Sequence, residues 1–297
     1  MSLSPSPSSE FPESSPSPKS RSHAAVTLTL RAAGCVFAED EARLLLRAAR
    51  TPDELAALVD QRAGGLPLEH VLGWAEFCGR RVAVDARVFV PRRRTEYLVR
   101  LATFLAHQAP QAVARPRPVL VDLCCGSGAV GAALAAAVEG AELYAADVDP
   151  VAVRCARRNL DAVGGQVYEG DLYEPLPVAL RGRIDVLAAN VPYVPTEEVE
   201  LLPPEARVHE PRVALDGGAD GLDVLRRVAA EAPRWLAPGG CLLVETSERQ
   251  APRAMETFAR SGLTPRLSAN EEHNATVVVG ALPDPRPTPD PRACPQS

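Results

Sequence analysis

Apolar and polar positions between residues 118 and 281 follow two alternating patterns. Short aliphatic or β-branched runs predict strands, whereas apolar residues spaced three or four apart predict helices. The predicted strands cover 119–123, 141–146, 166–169, 184–189 and 241–246, and the predicted helices cover 128–138, 150–160, 219–235 and 249–260. Such alternation is typical of a mostly parallel sheet with helices on both faces. A β-branched run at 275–281 has no helix after it, so we expect an antiparallel strand at or near the sheet edge.

In residues 24–70 the apolar residues are spaced three or four apart throughout, which predicts two or three small helices. Thr51 and Pro52 mark a helix start, because Thr is a good N-cap and Pro suits the first helical position. Two β-rich runs at 81–85 and 88–90 suggest a hairpin. The predicted domains are a disordered Ser/Pro-rich tail at 1–22, a helical substrate-binding domain at 23–80, a β-hairpin linker at 81–97, a larger domain at 98–282 and a disordered Pro-rich tail at 283–297.

Composition narrows the class of protein. The 297 residues carry a net charge of −6, which gives no electrostatic footprint for duplex nucleic acid. The seven cysteines form no CxxC pair, which argues against a disulfide framework and a zinc site. No run approaches the ~20 apolar residues of a membrane span, and the N-terminus lacks the apolar core of a signal peptide. We therefore expect a cytoplasmic protein without a metal site or membrane contact.

A glycine-containing loop follows the first predicted strand of the larger domain and opens its first helix. Asp122 lies near the end of the strand, and the candidate cofactor contacts are Asp122 and the loop residues Cys124, Cys125, Gly126, Ser127 and Gly128. Glycine lets a ligand approach the backbone closely, and ligands of such sheets bind beyond the carboxyl ends of the strands. Because Cys124 stands where a dinucleotide fingerprint has its first glycine, the loop favours S-adenosylmethionine (SAM) over a dinucleotide.

Acidic residues also follow the next two predicted strands. Asp147 lies about 20 residues after the loop, where an acid can accept hydrogen bonds from both hydroxyls of a ribose. Asp149 is the candidate cap of the helix that follows. Asp171 either accepts from an adenine amino group, with Leu172 against the adenine face, or serves only as a turn residue.

The stretch Asn190-Val191-Pro192-Tyr193 carries the candidate chemistry. The Asn190 side-chain oxygen and a backbone carbonyl can each accept one N–H of a planar NH2 group, which orients the nitrogen for attack. The Tyr193 ring can stack on a flat substrate or face a cationic methyl group. A simple Pro-rich turn is the alternative, but the stretch ends a strand beside the predicted cofactor loop. The two motifs together predict SAM-dependent N-methylation, with Asn190, Pro192 and Tyr193 as catalytic residues.

From about residue 39 to residue 280 the chain resembles the HemK/PrmC family of protein-(glutamine-N5) methyltransferases. The resemblance is carried by the stretch at 190–193 and by the segments 73–77, 90–96 and 210–222. It implies a Rossmann-like SAM-dependent methyltransferase fold, with a mostly parallel seven-stranded sheet and a small N-terminal helical domain. It also implies cofactor contacts at the 124–128 loop, Asp147, Leu172 and Asn190, and an acceptor-amide site at 190–193.

Two positions depart from the family pattern. Val191 replaces the first proline of Asn-Pro-Pro-Tyr, which keeps a backbone carbonyl but reduces stiffness, and Cys124-Cys125 replaces Gly-Thr. With the arginine-rich segment at 92–94, these changes resemble an actinobacterial branch related to PrmC. We expect a monomer that methylates a protein glutamine, such as the one in the Gly-Gly-Gln loop of peptide release factors.

Two other functions stay open on the sequence alone. The first is methylation of an adenine amino group or a small-molecule amide, because Asn-x-Pro-Tyr suits any planar NH2 group. The acidic charge and the lack of a recognisable DNA-reading domain count against duplex DNA. The second is a binding module without catalysis, against which the presence of both Asp147 and Asn190 counts.

Overall fold

The computed structural model describes residues 18–108 and 117–284. The chain divides into two compact units, residues 1–72 and 73–297. Positions 1–17 of the predicted N-terminal tail, and 285–297 of the predicted C-terminal tail, lie outside the described residues. The rest of the N-terminal tail prediction is wrong, because a helix already begins at Pro18. Proline is compatible with the first turn of a helix. Val26 and Leu30 on the apolar side of this helix are buried.

The described part of the first unit is helical. Its helices are α1 (Pro18–Ala32), α2 (Ala38–Ala48), α3 (Pro52–Ala63) and α4 (Leu68–Leu72). The predicted cap is confirmed, since the Glu54 amide donates to Thr51 Oγ1 over 3.1 Å. The apolar core contains Leu30, Leu45 and Val59. A buried ion pair between Arg62 Nε and Glu41 Oε2, 2.6 Å apart, joins α3 to α2.

A hairpin opens the second unit, but it lies before the predicted position. Strand β1 (Trp74–Phe77) pairs antiparallel with β2 (Arg80–Ala83). Cys78 and Gly79 have φ values of 50° and 68°, and two positive φ angles in a row suit the two-residue turn of a hairpin. The predicted strand at 88–90 is not formed. Its two valines are instead buried in a small apolar cluster, so burial rather than strand pairing accounts for that run.

The second unit is built on a mostly parallel seven-stranded sheet, as predicted. The strands are β3 (Val119–Leu123), β4 (Glu142–Asp147), β5 (Gln166–Glu169), β6 (Ile184–Ala189), β7 (Leu236–Thr246), β8 (Thr264–Asn270) and β9 (Ala275–Ala281). Their order is β5-β4-β3-β6-β7-β9-β8. Strand β9 is antiparallel to β7, as expected. The edge is taken by β8, which sequence analysis missed because its polar residues give no continuous apolar run.

Helices cover both faces of this sheet. They are α5 (Thr95–Gln108), α6 (Ala129–Ala137), α7 (Pro150–Leu160), α8 (Pro204–His209), α9 (Asp223–Trp235) and α10 (Ala251–Arg260). The four predicted helices correspond to α6, α7, α9 and α10. Helix α9 starts later than predicted because a turn precedes it, in which the Leu222 amide donates to Asp220 Oδ1 over 3.2 Å. Helix α5 was not predicted. The architecture is the expected Rossmann-like one.

The sheet places the predicted motifs on one edge. Strand order reverses between β3 and β6, which pair in parallel. Asp122 lies near the carboxyl end of β3, and Asn190 directly follows β6. A crevice beyond the carboxyl ends of strands at such a switch point is the usual ligand site of a doubly wound sheet. None of the described helices has the length and apolar character needed to cross a bilayer.

Candidate active site

A cavity of about 320 Å³ lies at this switch point. It brings together most of the residues that the sequence motifs predicted. Those on its wall are Asp122, Cys124, Cys125, Gly126, Ser127, Asp147, Asp171, Leu172, Asn190 and Pro192. Gly128, Val191 and Tyr193 do not line it. Segments from β3, β4, β5 and β6 therefore converge on one space, as parallel strands in neighbouring positions require.

The loop after β3 turns sharply through left-handed backbone. Cys124, Gly126 and Gly128 have φ values of 55°, 54° and 76°. A Cβ atom at Gly126 would meet only Phe89 at 4.0 Å, whereas one at Gly128 would lie 3.1 Å from the Cβ of Ala156. The first glycine therefore keeps the backbone open beside the cavity. The second allows α6 to pack closely on α7, which explains why it does not face the cavity.

Asp147 fastens this loop to the end of β4. Its Oδ2 accepts from the Gly126 amide over 2.8 Å, and its Oδ1 accepts from the Asp149 amide over 2.9 Å. Each carboxylate oxygen has a second lone pair, so both can still accept from a ligand hydroxyl. Asp149 caps α7, as predicted, by accepting from the Val151 amide over 2.8 Å. Burial raises the pKa of Asp147, and the two amide donors oppose that shift.

Asp122 is a buried carboxyl group on the cavity wall. It is 1% exposed, and its Oδ2 accepts from the Gly131 amide of α6 over 2.8 Å. Burial raises the pKa of Asp122 to about 7, the amide bond opposes the shift, and the charge of Asp147 adds to it. A cationic ligand in the cavity would favour the ionised form of this group.

The two loop cysteines are not nucleophiles in this environment. Burial raises the pKa of both the Cys124 and Cys125 thiols, and the charges of Asp122 and Asp147 raise it further. Both thiols therefore stay protonated at neutral pH, and a thiol is a poor nucleophile compared with a thiolate. The two cysteines are instead small side chains that fit a tight turn.

The turn after β5 also contributes residues to the cavity wall. Asp171 Oδ2 pairs with Arg227 Nη2 of α9, and Leu172 takes a left-handed φ of 51°. Asp171 is thus a turn residue that also lines the cavity, and its contact with an adenine amino group stays a prediction. Its ion pair with Arg227 occupies part of its capacity to accept hydrogen bonds.

Asn190 is oriented by a residue from the start of α5. Its Nδ2 donates to Thr95 Oγ1 over 3.4 Å. Thr95 is buried and also lines the cavity. With the amide nitrogen turned toward Thr95, the Asn190 Oδ1 is left as the acceptor on the other side. Pro192 lines the cavity two residues further on.

Val191 and Tyr193 do not line the cavity, for different reasons. Val191 is buried in the same apolar cluster as Leu187 and Ala189, because every second side chain along a strand lies on the same face. Tyr193 has its hydroxyl in contact with Arg94 and its carbonyl accepting from Gln250 Nε2 over 2.9 Å. No described residue donates a backbone hydrogen bond to the Val191 carbonyl.

Several wall residues were not predicted. Phe77, Phe89 and Pro91 come from the chain before α5, and Pro211, Val213 and Ala214 come from the long connection after β6. All belong to, or adjoin, the segments 73–77, 90–96 and 210–222 that carry the family resemblance. The family resemblance of these segments was therefore the sequence signal that could have identified these wall residues. Spacing alone could not place these segments in the site.

The wall combines apolar surface with negative charge. Four aspartates and one arginine are among its residues: Asp122, Asp147, Asp149, Asp171 and Arg227. This balance suits a cationic ligand. Within residues 18–108 and 117–284, no group of three or more His, Cys, Asp or Glu side chains is arranged to hold a metal ion.

Comparison with known proteins gives consistent similarities. The family model of the methyltransferase small domain matches residues 102–206. A release factor glutamine methyltransferase from Geobacter sulfurreducens is 40% identical over 234 residues, which is 77% of this chain and 78% of that protein. A protein of the same name from Streptomyces coelicolor is 38% identical over 193 residues, which is 65% of this chain and 67% of that protein.

One relative carries a different name. A 4-amino-L-phenylalanine/4-methylamino-L-phenylalanine methyltransferase from Streptomyces pristinaespiralis is 33% identical over 236 residues, covering 80% of each chain. The chain is therefore similar both to enzymes named for a protein glutamine and to one named for a small aromatic amine.

Proposed function

The chain belongs to the HemK/PrmC family of release factor glutamine methyltransferases, and on that premise we propose that it transfers a methyl group from SAM to the side-chain amide nitrogen (N5) of a protein glutamine. The target we propose is the glutamine of the Gly-Gly-Gln loop in peptide release factors. The proposal includes a cytoplasmic, monomeric enzyme whose N-terminal helical unit recognises the protein substrate.

The chemistry of the cavity wall supports SAM as the donor. SAM carries a sulfonium and an ammonium cation, and the wall supplies four aspartates against one arginine. Asp122 offers a buried carboxyl group to a cation, and Asp147 retains lone pairs for ribose hydroxyls. Leu172 and Asp171 would contact the adenine, and the backbone of 124–127 would contact the remainder of the cofactor.

The acceptor amide would be oriented by the stretch after β6. We propose that Asn190 Oδ1 and the Val191 carbonyl each accept one N–H of the glutamine amide. The support is that the Asn190 nitrogen is engaged by Thr95, while the Val191 carbonyl receives no backbone hydrogen bond from the described residues. Pro192 would border the amide, and the Tyr193 ring would restrict its position.

These contacts suit a weak nucleophile. An amide nitrogen has a delocalised lone pair, so orientation and acceptance of its hydrogens must supply most of the rate enhancement. SAM supplies an electrophilic methyl group. The oxygens of Asn190 and Val191 would stabilise the positive charge that grows on the acceptor nitrogen as this nitrogen takes the methyl group. The nitrogen would then release one proton to water, which leaves the neutral N-methyl amide.

The observation that carries the proposal is that Asp147 and Asn190 lie on the wall of one cavity, which can hold a donor and an acceptor side by side. The test is methyl transfer from labelled SAM to purified release factors, with whole lysate offered in parallel. A release factor with Gln→Ala in the Gly-Gly-Gln loop is the matched control. We expect label on the intact loop glutamine and none on the control.

Two other outcomes would change the proposal. Label on a different protein in the lysate would keep the chemistry and replace the release factor as target. Label found only in nucleic acid or small molecules would overturn protein glutamine as the acceptor.

A small-molecule amine is the second candidate. It is supported by the 33% identical relative named for 4-amino-L-phenylalanine, whose ring amino group, like an amide nitrogen, has a delocalised lone pair. Offering 4-amino-L-phenylalanine in the same assay decides between the two. Turnover of this amine at a higher kcat/KM than the release factor would favour the second candidate.

A further inference from the structure

Arg94 joins two residues that are far from it in sequence. Its Nη2 donates to the Tyr193 hydroxyl over 2.5 Å, and its Nε donates to Glu245 Oε1 over 2.9 Å. Its guanidinium carbon also lies 5.9 Å from the centre of the Tyr193 ring. Arg94 precedes α5, Tyr193 follows β6 and Glu245 is near the end of β7. Three separate segments therefore meet at one guanidinium group.

Glu245 is held in this group by Arg94. Its side chain is 1% exposed, and its Oε2 has no hydrogen-bond partner among the described residues. A buried carboxylate without a cation is strongly disfavoured, so the Arg94 charge stabilises Glu245 in place. Val244 pairs with Ala189 across β7 and β6, so Glu245 lies beside the strand end from which Asn190 follows.

Tyr193 is restrained at both its side chain and its backbone. Burial, followed by the charge of Glu245, raises the pKa of its phenol, so the hydroxyl keeps its proton at neutral pH. It accepts from Arg94, and it lies 3.5 Å from Glu245 Oε1, to which it can donate. Gln250 holds the Tyr193 carbonyl. The ring consequently has one preferred orientation next to Pro192.

We infer that Arg94 is a positioning residue that fixes the Tyr193 ring, with Glu245 as its anchor. This inference rests on the proposed function, in which Tyr193 restricts the acceptor amide. Arg94 and Glu245 do not line the cavity, so in this inference they do not contact SAM and act on the acceptor only through Tyr193. Removing Arg94 therefore weakens use of the acceptor and leaves SAM binding intact.

The experiment is a double-mutant cycle with Arg94→Met and Tyr193→Phe. For each protein, steady-state kinetics gives kcat/KM for the acceptor, and calorimetry gives the affinity for SAM. We expect Arg94→Met to lower kcat/KM for the acceptor roughly tenfold, because a charge-assisted hydrogen bond is lost. In the Tyr193→Phe background the same change lowers it by less than roughly twofold, since the hydroxyl is already gone. Arg94→Lys restores part of the activity, because one ammonium group can replace one of the two contacts.

Arg234→Met is the matched control. Arg234 forms an exposed pair with Glu231 within α9, and we expect kinetics equal to those of the unchanged enzyme. An equal loss from Arg94→Met with and without the Tyr193 hydroxyl would overturn the inference. A large loss of SAM affinity in Arg94→Met would also overturn it.

A thermal cycle separates this inference from the proposed function. The melting temperatures of the unchanged enzyme, the two single variants and the double variant can be measured without an acceptor. We expect the melting temperature of the double variant to fall by less than the sum of the two single decreases. If the unchanged enzyme methylates neither release factor nor lysate, the proposed function fails and the thermal cycle alone decides the inference. Additive losses would then refute the contact itself.

Discussion

The residues proposed to bind the donor SAM and those proposed to bind the acceptor amide, here called the donor part and the acceptor part, are held in place in different ways. In the donor part, Asp122 and Asp147 bind backbone amides only 9 and 21 positions away along the chain. In the acceptor part, Asn190 and Tyr193 contact side chains 95 and 99 positions away. The donor part is thus a local strand-loop-helix unit, whereas the acceptor part depends on packing between distant segments. Changes in the two parts should consequently separate SAM binding from turnover.

The largest expected effect is on turnover in the acceptor part. Asn190→Ala removes an oriented acceptor, and we expect kcat to fall roughly a hundredfold, by analogy with the loss of one preorganised hydrogen-bonding group. SAM affinity should stay largely unchanged. Single-turnover kinetics and calorimetry on the same protein check both halves of the prediction. Undiminished turnover would refute the role of Asn190.

The opposite separation is expected in the donor part. Asp147→Ala removes the acceptor of the Gly126 and Asp149 amides as well as the proposed ribose contact. Hydrogen bonds to a charged group contribute about 1.5–3 kcal/mol, so SAM affinity should weaken roughly ten- to a hundredfold. Asp147→Asn keeps one acceptor oxygen and should lose less. Unchanged affinity in calorimetry would exclude Asp147 from the cofactor site.

A pH dependence should also belong to the donor part. Because burial raises the pKa of Asp122 to about 7, its carboxyl group is mostly protonated at pH 6 and mostly ionised at pH 8. A cationic ligand binds the ionised form better, so SAM affinity should be roughly tenfold weaker at pH 6 than at pH 8. Asp122→Asn should remove most of this dependence, and an equally steep profile in that variant would contradict the assignment.

The same shift has a consequence for stability without cofactor. A folded-state pKa raised above the unfolded value means that the native state binds the extra proton between about pH 4 and pH 7. The contribution of Asp122 to stability is therefore present at low pH and is lost as pH rises through this window. Denaturant unfolding of the unchanged protein and of Asp122→Asn at pH 5 and pH 8 measures the difference.

The smallest effect is expected at Thr95. Thr95→Val keeps the shape of the side chain but removes the 3.4 Å contact with Asn190 Nδ2. A long neutral hydrogen bond contributes little, so we expect kcat to fall roughly threefold, with no change in SAM affinity. Thr103→Val on the same helix is the control, because its buried hydroxyl has no hydrogen-bond partner among the described residues. Equal effects of the two changes would argue against orientation of Asn190 by Thr95.

The strand-loop-helix unit that contains Asp122 and the central strands were predictable because their signals are local. Strands β3, β5 and β6 have the predicted bounds, and Asp149 caps α7 as expected. The failures fall where local signals are weak or ambiguous. Strand β8 is too polar to stand out, and the valines at 88–90 are buried without pairing. Pro18, in a Ser/Pro-rich stretch, begins a helix.

The order of residues along the chain determined the strand-loop-helix unit, the aspartates after the strands and the Asn190–Tyr193 stretch, since each depends on neighbours a few positions away. Tertiary structure decided which distant residues meet them. Arg94 and Glu245 reach Tyr193 only because α5 begins beside the ends of β6 and β7. Periodicity specifies which face of an element is buried, whereas the partner on that face depends on how the elements pack.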